Sequence, residues 1–230
     1  MEIRPIAYIE NDFREKFGVP RQSGLAEGVL SRIVFLPEYR RPEAFRGLEA
    51  YTRIWLIWEF SEGTGEKADW SPTVRPPKLG GNTRVGVFAS RSPNRPNPLG
   101  LSAVRLEEIL WDDPEGPVLT VSGADLMNGT PIYDIKPYLP YADAFPDARG
   151  SFGQERKDRC LTVRFLPGTE EQIPAEKQAA LREILSLDPR PGYQDDPERV
   201  YGLAFGAQNV RFRADGEILT VLSVETGGNA

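Results

Sequence analysis

Short apolar, β-branched runs recur along the chain at Ile3–Ile9, Val29–Leu36, Ile54–Phe60, Arg84–Ala89, Ser102–Leu110, Val118–Ser122 and Ile132–Ile135. Pro- and Gly-rich turns separate them, which is the pattern of an all-β barrel or sandwich. Pro42 to Tyr51 has the content of a short helix, weakened by Gly47. Through Ala142 no helical period is long enough to build βαβ units, so a doubly wound sheet is not expected. Charged, Gly-containing sequence then interrupts the pattern over residues 144–158, which reads as a linker or mobile surface loop. Beyond it the texture changes. Cys160–Leu166 is strand-like, and Ala175–Leu187 is an amphipathic helix with Pro174 near its start and Ala180, Ile184 and Leu187 on one face. Val200–Gly206, Gln208–Arg213 and Ile218–Val224 read as strands, with a hairpin turn at Asp215-Gly216. The expected organisation is a mainly β domain over 1–143, the linker over 144–158, and a small α+β C-terminal domain over 159–230.

Composition narrows the chemistry more than it narrows the fold. The 230 residues include no histidine and a single cysteine, Cys160. That removes the commonest general base, the Ser-His and Cys-His nucleophile pairs, imidazole metal sites and any intrachain disulfide. A hydrolase built on Ser90 or Ser92 is disfavoured for the same reason. No Asp/Glu cluster has the spacing of a metal-binding loop, so no metal is expected. The longest apolar run, Ile54 to Ile57 with Trp58, is too short to span a bilayer. The N-terminal residues lack the features of a signal peptide, and a cytoplasmic protein is expected. No GxGxxG fingerprint follows a strand and no Walker loop is present.

The net charge of −6 argues mildly against nucleic acid, but its distribution does not. Between Ser71 and Arg105 stand six basic residues (Arg75, Lys78, Arg84, Arg91, Arg95 and Arg105) and no acidic one. Such a segment is either an anion-binding face or a solvated loop whose charge happens to cluster. Its densest part is RVGVFASRSPNRPNPLGL at Arg84–Leu101, where Pro93, Pro96 and Pro98 stiffen a turn carrying Arg91, Arg95 and two asparagines. This is a preorganised array of donors, or a rigid surface turn with solubilising arginines. Gly86 and Gly100 mark expected close approaches or unusual backbone angles.

The run GVFASRSPNRPNPLGLS resembles the signature of the TrmO family (YaeB/TsaA-like proteins). The resemblance extends to KFGVPRQSGL at Lys16–Leu25, FRGLEAYTRIWLIWEF at Phe45–Phe60, VRPPKLGGNTRVGVF at Val74–Phe88, DLMNGTPIYDIKPYLPYAD at Asp125–Asp143 and DPRPGY at Asp188–Tyr193. It implies an S-adenosylmethionine-dependent tRNA methyltransferase acting on the N6 nitrogen of threonylcarbamoyladenosine beside the anticodon. It further implies a small S-adenosylmethionine-binding β-barrel unrelated to Rossmann-like methyltransferases, a homodimer, and an added C-terminal domain, which is a candidate for tRNA contact. A regulatory module that keeps the barrel and binds cofactor or RNA without turnover is the rival reading.

Carried over from that resemblance, cofactor contacts fall on Gln22, Ser23, Gly24, Phe60, Ser61, Arg91, Leu101, Gly123, Ala124, Asp125 and Leu126. Phe60, Leu101 and Leu126 are expected to line a slot for the adenine, with Arg91 at the cofactor carboxylate and Asp125 accepting from hydroxyl or amine groups. Asp125 could equally be a turn carboxylate beside Asn128-Gly129. Asp134, Lys136 and Tyr138 share one face of an extended segment and are the candidate catalytic group, with Tyr133 beside them. A structural ion pair with a packed tyrosine is the alternative. Arg75, Lys78, Arg84 and Arg95 are the expected phosphate contacts, with Arg190 and Tyr193 from the C-terminal domain. That domain is itself acidic, with seven Lys/Arg against eleven Asp/Glu from Cys160 onward, a net of −4. Trp55 and Trp58 read as core or dimer interface.

Overall fold

The computed structural model describes residues 2–60, 70–76, 79, 82–150, 160–190 and 196–227. Six strands close an antiparallel barrel: β1 (Ala7–Glu10), β2 (Leu30–Phe35), β3 (Arg53–Glu59), β6 (Leu99–Leu110), β7 (Val118–Ser122) and β8 (Pro131–Pro137), in the order β1-β2-β7-β6-β3-β8. Alternation decides which side chains fill it. In β3, Ile54, Leu56 and Trp58 point inward, while Trp55, Ile57 and Glu59 point outward. Opposite them β6 turns Gly100, Ser102 and Val104 inward. Gly100 is required there by space: a Cβ on it would fall 2.2 Å from the Trp58 ring. The indole therefore lies flat against the backbone of the neighbouring strand.

Several expectations shift in detail. Arg84–Ala89 holds only a two-residue strand, β5 (Val85–Gly86), paired with β4 (Thr73–Val74), and then tightens into a 3-10 turn at Val87–Ala89. Gly86 has an ordinary φ of −58° and open space around it, so it marks no close approach. The Pro42–Tyr51 segment is two 3-10 turns, Pro42–Phe45 and Leu48–Ala50, separated by Gly47 at φ 88°. A short helix α1 (Pro140–Asp143) closes the first half, and its Asp143 accepts the Trp55 indole N–H at 2.9 Å.

The second half is a four-stranded sheet ordered β10 (Tyr201–Phe205), β11 (Gln208–Asp215), β12 (Ile218–Thr226) and β9 (Thr162–Phe165). β9 lies parallel to β12 and the other pairs are antiparallel. The helix α2 (Ala175–Ser186) covers the sheet with Ala180, Leu181, Ile184 and Leu185. Its core also includes residues from the opposite end of the sequence. Phe13, Ala26 and Val29, from the connection between β1 and β2, are buried among the C-terminal strands and α2, with Phe17 and Val19 packed against them. Phe17 stacks on Tyr201 and Phe212. The segment from Asn11 to Val29 thus leaves the barrel, joins the second core and returns. Residues 151–158 of the predicted linker lie outside the described residues. Among the described residues no helix is long and apolar enough to cross a membrane.

Candidate active site

At the β3–β6 mouth of the barrel the Trp58 indole N–H donates to Ser102 Oγ at 2.9 Å, and that hydroxyl donates to Asp125 Oδ1 at 2.5 Å. Ser102 and Trp58 are 1% and 6% exposed, so the chain of bonds sits in low dielectric. Asp125 follows β7 and also accepts the backbone N–H groups of Ser23 and Asp125 itself. Burial pushes its carboxyl above the ordinary value, and the Ser102 hydroxyl, the backbone N–H groups and the nearby Arg91 charge oppose that rise without cancelling it. Asp125 is thus a largely shielded acceptor held by one hydroxyl and two backbone N–H groups.

The loop Gln22-Ser23-Gly24 comes to the same place from the other side. Gly24 N–H donates to Gly123 O at 2.8 Å, and a Cβ on Gly123 would meet Gly24 Cα at 3.2 Å. Both glycines have positive φ, 76° and 74°, so the close backbone approach depends on them. Arg91, on the proline-stiffened turn, donates to Gln22 Oε1. Arg95 braces that turn from within by donating to Ser90 O at 3.0 Å. Three segments far apart in sequence therefore meet: the 22–24 loop, the Arg91 turn and the 123–126 segment.

Other predicted contacts are distributed differently. Ala124 and Leu126 are each 1% exposed and belong to the barrel core. Phe60 packs on Trp58, with ring centroids 4.4 Å apart. Leu101 points outward and is 54% exposed. The expected slot formed by Phe60, Leu101 and Leu126 is not assembled in the single chain: alternation along β6 turns Leu101 outward, while Leu126, in the segment after β7, is buried in the barrel core. Ser61 lies outside the described residues.

The outer face links Leu101 to the candidate catalytic group. Pairing puts Leu101, Ile57 and Asp134 in one row across β6, β3 and β8, and Ala103, Trp55 and Lys136 in the next. Two strand spacings separate Leu101 from Asp134, roughly 10 Å. Asp134 and Lys136 form an ion pair at 2.9 Å, and the Tyr138 ring lies 5.5 Å from that of Trp55. All three sit on the one face that the sequence suggested. Tyr133 occupies a register irregularity between β8 and β3 and donates its phenol to Glu59. Desolvation and the Glu59 carboxylate push that phenol up to about 12, so it serves as a donor and not as a base near neutral pH. A cavity of about 550 Å³ opens beside Asp134, Ile135 and Pro137, walled by Ile6, Phe35 and Phe45. The Asp125 network is not in its wall, so this hollow and the Asp125 polar cluster are separate features.

Of the expected RNA contacts, Arg75 and Arg84 are exposed, and Arg84 donates to Thr73 Oγ1 at 3.0 Å. Lys78 and Tyr193 lie outside the described residues. Arg190 is a correction. It is 6% exposed, donates to both Asp188 carboxylate oxygens at 2.8 and 3.0 Å, and donates to Ala214 O. A guanidinium buried in this way is a structural brace with no face for phosphate. Sequence reasoning also missed Ser102 and Trp58 as parts of the mouth. Their inward register, two residues apart from Gly100 and Leu56, was the available signal.

The fold is that of a two-part protein, a closed six-stranded β-barrel with a helix-covered four-stranded sheet. Residues 8–144 match the family model described as the tRNA-methyltransferase O N-terminal domain, and residues 158–227 match the TrmO C-terminal domain. The chain belongs to this family. It is 38% identical to the tRNA (adenine(37)-N6)-methyltransferase of Escherichia coli K12, with 97% of each chain covered. It is 37% identical to a putative S-adenosylmethionine-dependent methyltransferase, RcsF, of Pseudomonas aeruginosa, with 98% of each covered. Among solved structures, a TrmO crystal structure from Pseudomonas aeruginosa superposes with a TM-score of 0.79 at 32% identity, covering 98% of both chains.

Proposed function

We propose that the protein methylates the N6 nitrogen of threonylcarbamoyladenosine beside the anticodon of tRNA, using S-adenosylmethionine. The observation that carries this reading is the convergence of three separate segments on the shielded Asp125 carboxylate, within a chain that matches its methyltransferase relative over nearly its full length. The donor set fits the cofactor. Arg91 matches a carboxylate, Asp125 in its ionised form accepts from hydroxyl or ammonium groups, and the Gly24–Gly123 approach leaves backbone groups to read an adenine edge. Exposed Leu101 and the Phe60 ring add apolar surface. When bound, the cofactor supplies an electrophilic methyl group.

The chain's own task is positioning and proton handling. The target nitrogen is urea-like and loses its proton as the new N–C bond forms. Asp134 is the acceptor we assign, held by Lys136 in the row that contains Leu101. Tyr138 lines the same face. Arg75, Lys78, Arg84 and Arg95 serve the phosphates, and Tyr193 extends the contact from the C-terminal part. We take the protein to act as a cytoplasmic homodimer, a reading supported by the exposed Leu99 and Leu101 on the barrel's outer face and testable by sedimentation.

The test is incubation with labelled S-adenosylmethionine and tRNA with or without the threonylcarbamoyl group. Label is expected only in the modified tRNA. Cofactor binding without label in either RNA would instead favour the non-catalytic module, and label confined to unmodified tRNA would overturn the substrate assignment. Asp134→Asn should abolish transfer while leaving cofactor affinity intact.

A further inference from the structure

The loop that carries Gln22, Ser23 and Gly24 is held on both shoulders by the C-terminal half of the chain. On the leading shoulder, Asp12 accepts the Lys177 ammonium at 2.7 Å, and its carbonyl takes the Gly206 N–H at 2.9 Å. Phe13 bridges to Phe205, Glu15 accepts the Ala204 N–H at 3.1 Å, and Arg21 donates to Arg190 O at 2.9 Å. On the trailing shoulder, Glu183 of α2 accepts two consecutive backbone N–H groups, Glu27 at 3.2 Å on Oε1 and Gly28 at 2.7 Å on Oε2. Glu27 in turn takes an Arg53 N–H from β3 at 2.7 Å. The tip between these shoulders meets Gly123, Asp125 and Arg91.

We propose that the C-terminal domain acts as a scaffold for the cofactor loop, with Glu183 as the positioning residue that fixes the loop's return to the barrel. A carboxylate with both oxygens committed to adjacent backbone N–H groups defines the direction of the peptide chain there, because two acceptors on one plane leave the segment little rotational freedom. The apolar anchors Phe13, Phe17, Val19, Ala26 and Val29 fix the loop's depth, and Glu183 fixes its register. The C-terminal domain thereby contributes to cofactor affinity without supplying a contact to the cofactor. Its net charge of −4 suits such a role better than that of a general clamp on RNA. This inference rests on the reading of Gln22, Ser23 and Gly24 as cofactor contacts.

The test is calorimetric titration of S-adenosylmethionine into the full chain and three variants. Glu183→Ala, which removes both acceptors, is expected to weaken binding about tenfold. Glu183→Gln should fall between, since the amide keeps one acceptor and presents a donor to the other N–H. Arg182→Ala is the control: the neighbouring α2 residue binds Val163 O and Glu170 within the C-terminal half, so its loss lowers stability and leaves affinity unchanged. Hydrogen exchange of the amides from Gln22 to Gly28 should quicken in Glu183→Ala and not in Arg182→Ala. In turnover the KM for the cofactor should rise with kcat preserved. Wild-type affinity in Glu183→Ala alongside a loss in Arg91→Ala would overturn the scaffold and leave the proposed function standing. Equal losses in Glu183→Ala and Arg182→Ala would overturn it as general destabilisation. A wild-type chain that binds no S-adenosylmethionine would remove both readings.

Discussion

Ser102 stands between Trp58 and Asp125, taking the indole N–H at 2.9 Å and giving its own proton to the carboxylate at 2.5 Å. One hydroxyl thus satisfies an inward-facing indole and orients an acceptor at the barrel mouth. Ser102→Ala leaves both neighbours short of a partner inside the wall. The expected cost is roughly 2 kcal/mol of stability, measured by urea denaturation, together with weaker cofactor binding by calorimetry.

Asp125 sets a pH dependence whose two parts have opposite signs. Burial raises its carboxyl above the ordinary 3.8, so the native state holds the proton more tightly than the unfolded chain does. Its contribution to stability is therefore fully present below that ordinary value and lost as pH rises through the raised native one. Cofactor binding runs the other way, because the acceptor must be ionised. Affinity should fall on acidification, beginning at a higher pH than an ordinary aspartate would give. Asp125→Asn should bind weakly with this pH dependence removed, and titrations of both proteins across mildly acidic to neutral pH check it.

Gly100 has no room for a methyl group beside the Trp58 ring. Gly100→Ala should destabilise by about 2 kcal/mol through overpacking. In a double-mutant cycle with Trp58→Leu the combined loss should be smaller than the sum, since removing the ring removes the clash.

Arg190→Ala should act on stability and not on RNA. Breaking its buried pairing with Asp188 is expected to cost about 3 kcal/mol, seen as a lowered melting temperature. The salt dependence of tRNA binding should keep the wild-type slope, whereas Arg75→Ala and Arg84→Ala should each reduce it.

Tyr133→Phe should leave the pH–rate profile unchanged between neutral and mildly alkaline conditions. Its phenol is pushed up to about 12 and does not titrate in that range. A lost alkaline limb in this variant would return Tyr133 to the list of bases.

Much of the barrel could be read from alternation alone. Val118–Ser122 has the same bounds in sequence and structure, and β2, β3, β6 and β8 differ only at their ends. The Val87–Ala89 turn was hidden because Val, Phe and Ala suit a strand as well as a 3-10 turn, and the choice is made by the pairing of β5 with β4. In the candidate site, the unusual residues Gly24, Arg91 and Asp125 could be picked out from the sequence, and the structure brings their segments together. What could not be read was where side chains point: alternation along β6 turns Leu101 to the surface, while Leu126, in the segment after β7, is buried in the core. Arg190 misled for a related reason: charge suggests a partner, but Asp188 two residues away had already claimed it. The role of residues 13–29 in the C-terminal core had no local signal, since Phe13 and Val29 are as apolar as any barrel residue.

That shared core bears on how the chain acquires its structure. Glu15 and Ala204 are hydrogen-bonded across 189 residues of sequence, and Phe13 joins Phe205 beside them. During synthesis the segment between β1 and β2 leaves the ribosome long before β10 to β12 exist. Barrel closure can proceed with that segment still undocked, and its apolar side chains are covered only in a late, long-range step. A fragment beginning at Cys160 would lack Phe13, Ala26 and Val29 from its interior. Docking of the segment between β1 and β2 is thereby timed to the synthesis of β10 to β12.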